Sequence, residues 1–408
     1  MLAWLQHGIF YGKFYACIGD LQVLYPTLSF ACHTYNHSME EAPPGGLSPQ
    51  VFLRRHWQKR PLLVRGALPG FSGMITKRGL CALAARGDVE SRLVERRKGR
   101  WNVTHGPLAP SRLPRTGARG WTLLVNGVNH HNEQAEILLR RFAFVPQARL
   151  DDVMVSYAAR GGGVGPHFDS YDVFLVQGRG RRLWRLARRR RFALVPGAPL
   201  KLIARFRAEE EFLLEPGDLL YLPPGWGHDG IALEPCFTYS IGFRAPRGAE
   251  LAAAFLDYLH ERGLPDAVYQ DPALRPAARP ARIGPELAAF AERQLARIRW
   301  TRGDVADFLG RFLSTPKSNI VFSPMRRKSR RRIENMTVKL HPKTQMLYRD
   351  SRFFINGEML NPRPAQRRVL AALADRRHAP GRALARAGLE RLISEWHRAG
   401  FLLLEAKP

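Results

Sequence analysis

A chain of 408 residues, 45% hydrophobic and 24% charged, has room for two to three domains, each with its own core. No stretch supplies the roughly 18 uninterrupted apolar residues that a bilayer span requires, which excludes a membrane-spanning protein. Lys and Arg number 64 against 35 acidic residues, a net charge of +29; such an excess points to nucleic acid or another polyanion, with an arginine-rich genome as the competing cause.

Cys17, Cys32, Cys81 and Cys236 form no CxxC pair and no Cys/His grid with zinc spacing, so neither a disulfide framework nor a zinc ribbon is indicated and a reducing cytoplasm fits best. Residues 1–46 stand apart in composition. Lys13 and Asp20 interrupt their apolar stretches and no cation precedes the first, which argues against a secretory signal. Met39, just ahead of the globular pattern, offers an alternative start, and residues 1–38 are expected to add nothing to the site or the core; the alternative is that Leu21 to Phe30 docks as an extra edge strand or covers a dimer face.

The folded pattern begins near Leu47. Ser48-Pro49 opens an amphipathic segment through Val51, Phe52 and Trp57, and Pro61-Leu62-Leu63-Val64 reads as a short strand. Mixed helical and loop sequence follows, then strand-like runs at Trp121 to Val125 and Asp152 to Ser156. From there to Phe243 short apolar runs alternate with Gly and Pro turns, the pattern of a β-sandwich or barrel, so residues 47–247 form a mainly β domain. Leu251, Phe255 and Leu259 mark a helix over 250–262, and prolines at 265, 272, 276, 280 and 285 mark a connection. Residues 286–313 are helical again, with Leu287, Phe290, Leu295, Ile298, Phe308 and Phe312 as the expected buried positions; 248–325 is thus a helical region. The run Arg326-Arg-Lys-Ser-Arg-Arg-Arg332 is either a solvated linker or a polyanion contact. Strands around Val338 and 353–355, an Asn356-Gly357 hairpin turn, helices around 364–376 and 386–399 and a last strand over 401–404 then have the order of a winged helix, so 326–408 is basic linker plus winged helix. That module docks proteins as well as DNA, so it decides no function alone.

Chemistry concentrates in two segments. Gly161-Gly-Gly-Val-Gly165-Pro-His167-Phe-Asp169 sets His167 and Asp169 on one face of a strand, because residues i and i+2 share a face; Pro223-Pro-Gly-Trp-Gly-His228 comes 61 positions after His167. With His228 on a facing strand, two histidines and a carboxylate form the facial set of non-haem iron(II) oxygenases, which leaves three positions for a chelating co-substrate and dioxygen. A buried structural histidine is the ordinary alternative, but a rigid Pro-Gly turn after a strand is how a chain re-aims a ligand. Chance alone supplies about one HxD/E pair in a chain with 13 His and 35 acidic residues, and His131-Asn-Glu133 is a second. The downstream residues separate the two: fifteen past His167 stands Arg182, fifteen past His131 stands Pro146, which can donate nothing.

Alternation puts Arg182, Trp184 and Leu186 on one face, and Trp and Leu make it the inward one. An inward guanidinium is costly unless a carboxylate pairs with it, and a bound dicarboxylate serves where no protein acid does; a barrel-edge Arg reaching solvent is the alternative. Thr238, Ser240 and Gly242 alternate with Phe237, Tyr239, Ile241 and Phe243, giving a small polar face suited to lining a cavity. Ser156 likewise interrupts an apolar strand with a hydroxyl.

The segments GPHFD, YDVFLVQGRGRRLWR and LEPGDLLYLPPGWGHDG, with His56-Trp-Gln-Lys-Arg-Pro61 and Ser91-Arg-Leu-Val-Glu95 upstream and Tyr239-Ser-Ile-Gly-Phe-Arg-Ala-Pro246 downstream, resemble the JmjC/cupin-type ribosomal oxygenases. The likeness is to the bacterial arginine hydroxylases that act on protein sixteen of the large ribosomal subunit. It covers residues 47–262 strongly and the rest more loosely, and residues 1–42 have no counterpart. It implies a mainly β plus α protein with a double-stranded β-helix core, a helical dimerisation region that makes a homodimer, and a C-terminal winged helix. The implied activity is an iron(II)- and 2-oxoglutarate-dependent hydroxylation of an arginine in a large-subunit ribosomal protein; the basic excess, apart from the resemblance, adds ribosomal RNA as a candidate partner. Residue by residue, His167, Asp169 and His228 fall on the iron ligands, Arg182 on the base that pairs with the 2-oxoglutarate carboxylate, and Ser156 on a position lining the same pocket; Ser240 is placed there by strand parity alone. A JmjC-type hydroxylase or demethylase of another basic protein or of nucleic acid shares every one of these residues. A metal-free cupin docking on the ribosome would keep the barrel but has no need of Arg182 beside the triad.

Overall fold

The computed structural model describes residues 46–115, 117–188, 191–324 and 333–406, together with the backbone of 22–24. The chain divides into two compact units, residues 1–245 with 317–322, and residues 246–316 with 323–408.

In the first unit a polar side chain replaces the missing turn at the start of each helix. Ser48 Oγ accepts from Val51 N ahead of α1 (Pro49–Arg55), Thr76 Oγ1 from Gly79 N ahead of α2 (Lys77–Ala84), and Asn132 Oδ1 from Ala135 N ahead of α3 (Glu133–Arg140). The strands are β1 (Gln22–Leu24), β2 (Leu62–Val64), β3 (Ser91–Arg97), β4 (Arg100–His105), β5 (Trp121–Val125), β6 (Leu150–Ala158), β7 (Val173–Gln177), β8 (Arg182–Ala187), β9 (Glu210–Leu214), β10 (Leu219–Leu222), β11 (Gly227–Ala232) and β12 (Cys236–Phe243). They build a nine-stranded sheet, β1-β2-β10-β7-β12-β6-β5-β3-β4, and a three-stranded sheet, β11-β8-β9. The chain passes between the sheets after β7, β9, β10 and β11, the strand exchange of a double-stranded β-helix.

Alternation sorts the two faces of the large sheet. Phe237, Tyr239, Ile241 and Phe243 join Val153, Val155, Phe174 and Phe52 in the main core, whereas Leu175, Leu220 and Leu222 face Trp184 and Leu186 of the small sheet. Phe52 is fully buried, with the rings of Trp57, Phe144, Phe174 and Tyr221 all within 6.2 Å of its own. Beside it the Tyr221 hydroxyl donates to Asp172 Oδ1 (2.6 Å), Gln58 Nε2 donates to Asp172 Oδ2 (2.9 Å), and Gln58 N donates to the Tyr221 hydroxyl (2.8 Å). Burial, reinforced by Asp172, pushes the Tyr221 phenol well above its ordinary range, so it stays protonated and can donate.

Two expectations change here. Residues 91–105, within the stretch read as helix and loop, form the β3–β4 hairpin, closed by Lys98 and Gly99 at φ 48° and 78°. Its charged tip hid the alternation. Gln22–Leu24 pairs in parallel with Leu62–Val64, so the N-terminal segment contributes an edge strand, against the expectation that residues 1–38 add nothing to the core and in line with the alternative. The remainder of residues 1–45 lies outside the described residues.

The second unit holds α4 (Gly248–Glu261), α5 (Pro285–Leu295) and α6 (Arg302–Ser314). The helix expected over 286–313 is two helices, because Thr301 Oγ1 accepts from Asp304 N (3.2 Å) while Asp304 Oδ2 accepts from Thr301 N (2.6 Å), a reciprocal cap that starts a helix afresh. Of the six positions expected to be buried only Phe308 is; Leu287 and Leu295 are 44% and 67% exposed. The basic run 326–332 lies outside the described residues. Beyond it come β13 (Met336–Leu340), β14 (Met346–Arg349), β15 (Arg352–Ile355), β16 (Glu358–Leu360), α7 (Pro364–Arg376), β17 (His378–Pro380), α8 (Gly381–Arg386), α9 (Glu390–Arg398) and β18 (Leu402–Ala406), around a core that includes Val338, Phe353, Leu370, Ile393 and Trp396. Asn356 and Gly357, at φ 49° and 90°, make the expected turn between β15 and β16. The helix expected over 386–399 is divided: α8 ends at Arg386, and Gly388, at φ 68°, separates it from α9. No helix among the described residues is long and apolar enough to cross a membrane.

Phe52 sets the first prediction. Truncation by Phe52→Ala opens a cavity lined by aromatic rings and should cost about 3–5 kcal/mol, read from urea unfolding of the full chain. A loss below about 1 kcal/mol would show that α1 is not part of the cooperative core.

Candidate metal centre

His167 and Asp169 lie between β6 and β7, and His228 is the second residue of β11. An isolated antiparallel bridge joins the histidines: His167 N donates to His228 O (2.9 Å) and His228 N to His167 O (2.7 Å). The backbone thus holds the two imidazoles side by side, ring centroids 4.2 Å apart. Asp169 is anchored by Gly225 N, which donates to its carbonyl at 2.6 Å and so ties the Pro-Gly turn to the segment that carries His167 and Asp169. Potential ligand atoms of His167, Asp169 and His228 all lie within 4.8 Å of one another.

Each imidazole is oriented by a carbonyl of its own loop. His167 Nδ1 is 2.9 Å from Gly165 O and His228 Nδ1 is 2.9 Å from Trp226 O. A carbonyl only accepts, so each Nδ1 carries the proton and each Nε2 keeps its lone pair for a metal. Two imidazole nitrogens and one carboxylate suit iron(II) or cobalt(II) and leave coordination positions for a small chelating molecule.

Arg182, at the start of β8, is 4% exposed. Its Nη1 donates to Ser156 Oγ at 3.4 Å, while its Nε and Nη2 are buried with no hydrogen-bond partner among the described residues. Desolvating a guanidinium and leaving two of its nitrogens without an acceptor is expensive, and a carboxylate with two oxygens is the group that relieves it. The residue in register with Ser156 is Thr238, which donates to Gln177 Oε1 at 3.1 Å and extends the polar row. Ser240 lies on the same interior face of β12 but one pair further along, opposite Met154 and Leu175. The fold therefore brings His167, Asp169 and His228 together and sets Arg182 on Ser156, and Ser240 stands beside apolar neighbours.

Apolar and aromatic groups close the surroundings. The Trp184 ring lies 5.9 Å from the His228 ring, and a Cβ on Gly230 would come within 2.7 Å of that indole, so glycine at this position lets Trp184 lie against β11. By alternation Asp229 faces the other way, with Arg185 Nη1 3.7 Å from its carboxylate; burial pushes that carboxyl up and Arg185 opposes the shift. The sequence carried no signal for the two carbonyls that aim the imidazoles, since backbone acceptors are the same in every residue.

Residues 137–251 match the JmjC domain and residues 297–402 the ROXA-like winged helix. The chain is 40% identical over 275 residues to the ribosomal protein uL16 3-hydroxylase of Escherichia coli (strain K12), across 67% of this chain and 73% of that protein. The chain belongs to the JmjC ribosomal oxygenase family. Among solved structures of this family, E. coli YcfD superposes with a TM-score of 0.76 at 33% identity, over 88% of this chain and 99% of that one. YcfD in complex with cobalt and 2-oxoglutarate superposes with a TM-score of 0.73 at 34% identity, also over 88% and 99%.

Titration calorimetry of the full chain with cobalt(II) should give about one ion per chain, and His228→Ala should weaken binding about a hundredfold or more. The backbone bridge to His167 needs no side chain, so the circular dichroism spectrum and melting temperature should be retained. Undiminished cobalt affinity in the variant would remove His228 from the ligand set.

Proposed function

We propose that this chain hydroxylates an arginine side chain of the large-subunit ribosomal protein uL16, using iron(II), 2-oxoglutarate and dioxygen. The observation that carries the reading is Arg182, a buried guanidinium with two nitrogens lacking an acceptor, on the sheet face that also carries His228 of the His-Asp-His cluster. Membership of the JmjC ribosomal oxygenases supports it, as does the 40% identity to a uL16 hydroxylase.

In this reading His167, Asp169 and His228 hold the metal on one face, and Arg182 with Ser156 binds the distal carboxylate of 2-oxoglutarate. Bound together, iron(II) and 2-oxoglutarate supply the oxidation of an unactivated C–H bond by dioxygen, coupled to decarboxylation of the oxoacid to succinate. The chain's own residues position and exclude. Gly165 O and Trp226 O keep each imidazole in the Nε2-ligating tautomer, and Trp184, Leu186, Leu175 and Leu220 keep water away from the interior. The Asp169 carboxylate offsets part of the charge of a divalent ion. The reading includes a cytoplasmic enzyme acting as a homodimer, a second copy covering the apolar residues that the helical region leaves exposed, Leu256, Leu287, Leu295 and Trp300 among them.

Arg182→Met tests the co-substrate. It keeps much of the volume and deletes the fork, so the apparent constant for 2-oxoglutarate should rise by about 2–5 kcal/mol, roughly thirtyfold or more, while cobalt still binds. Without ligand the variant should be at least as stable as the parent, because a buried charge with unmet donors has been replaced by an apolar chain. An unchanged constant for 2-oxoglutarate would assign its carboxylate to another cation and overturn the reading of Arg182.

A further inference from the structure

Two stretches of sequence that reach the metal centre are rich in cations, while Asp229, next to His228, is a buried acid facing Arg185. Between Glu95 and Glu133 the sequence has seven Lys and Arg and no acidic residue, and between Asp172 and Glu209 it has eleven and none. The first seven lie on the β3–β4 hairpin and the loop after it, and seven of the eleven lie on the long connection from β8 to β9. Both converge on Gly165, two residues before His167: a Cβ there would lie 2.7 Å from Trp101 Cζ2 of the hairpin and 2.7 Å from Leu202 Cδ2 of the connection. Backbone bonds fix the arrangement. Ile203 N donates to Pro166 O (2.8 Å), and Arg96 N to Gly120 O (2.8 Å), whose own N donates to Arg160 O (3.1 Å) at the start of the glycine loop. Arg96, Lys98, Arg100, Arg191, Arg205 and Arg207 are exposed on these segments. Trp101 is half-buried, with the Arg96 guanidinium 5.5 Å from its ring.

We infer that this cationic rim binds RNA, so that the enzyme engages its substrate segment while that segment is held against an RNA strand or hairpin. The inference deepens the proposed function and rests on it for the substrate. The side chain to be hydroxylated is itself a cation, and a cationic segment approaches a cationic mouth only against repulsion. Phosphates beside that segment reverse the balance, since each Lys or Arg on the rim that neutralises a phosphate releases condensed counterions. Half-exposed Trp101 with Arg96 over its ring adds a stacking surface for a base. An acidic protein would satisfy the charge but has no use for that surface, which favours RNA.

The test is binding of a fluorescein-labelled RNA hairpin to the full chain, followed by anisotropy across a salt series. The expected result is binding that weakens steeply with salt. Combined Lys98→Glu, Arg100→Glu, Arg205→Glu and Arg207→Glu should lower affinity at least a hundredfold and flatten the slope of log affinity against log salt by about 3. The same variant should hydroxylate a free uL16 peptide at no less than half the parent rate, since none of the four residues belongs to the metal or co-substrate machinery. Three outcomes overturn the inference: RNA affinity untouched by the four reversals, displacement of the RNA by polyglutamate at equal charge concentration, or loss of binding on reversing Arg363, Arg368 and Arg382 of the winged helix instead. Salt-dependent, rim-dependent RNA binding by a chain that oxidises no uL16 peptide would leave the rim standing and sink the proposed function.

Discussion

The buried charge of Arg182 is the constraint around which the catalytic unit is arranged. A guanidinium 4% exposed to solvent, bonded through one nitrogen to Ser156, is tolerable only if the fold gains from what it later holds. The small sheet puts it there by simple alternation, with Trp184 and Leu186 on the same side of β8 and the Trp184 ring 5.7 Å from the guanidinium. The large sheet answers with the polar row of Ser156, Thr238 and Gln177 in an otherwise apolar wall. In the proposed function an anionic ligand completes this arrangement, and an apolar barrel without one would be more stable with methionine at the position.

The ligand cluster is built on backbone and not on side-chain packing. Reciprocal hydrogen bonds between His167 and His228 join two segments 61 residues apart, and a carbonyl two residues before each histidine sets its tautomer. Orientation therefore survives changes in the surrounding apolar residues, while the ligands depend on the turns that deliver them. Gly165 at φ 77° and Gly225 at φ 78° occupy backbone conformations that side chains rarely adopt, each a few residues from a ligand. Substitution there would act on the metal through geometry, with no donor atom lost.

Much of this was legible because alternation and spacing are local. The inward face of β8 needed only the period of a strand, and the Asn356-Gly357 turn only its conformational demand; the HxD pair, read as strand, lies outside any, with His167 held by an isolated bridge. What was missed depends on partners distant in sequence. The β3–β4 hairpin reads as charged loop because Arg92, Arg96, Arg97, Lys98 and Arg100 outnumber Leu93 and Val94, whose burial is decided by pairing with β5. The break at Thr301 escaped because apolar spacing ran on through a reciprocal cap. Leu287 and Leu295, read as core from their period, are exposed, since periodicity reports an apolar face and not what covers it. Ser240 shows the limit of parity: it shares the face of Thr238, and the residues opposite it on the flanking strands, Met154 and Leu175, are apolar.

Charge and chemistry meet at the mouth of the barrel. A polar, metal-ready interior is reached past a rim rich in Lys and Arg, while the substrate side chain proposed for it is a cation, so recognition and reaction place opposite electrostatic demands on neighbouring residues. The account as a whole is tested most directly by tandem mass spectrometry of uL16 incubated with the full chain, iron(II), 2-oxoglutarate and heavy-isotope dioxygen. The predicted result is one heavy oxygen atom on an arginine side chain, formed only when 2-oxoglutarate is present. Unlabelled uL16, or heavy oxygen confined to a residue other than arginine, would contradict it.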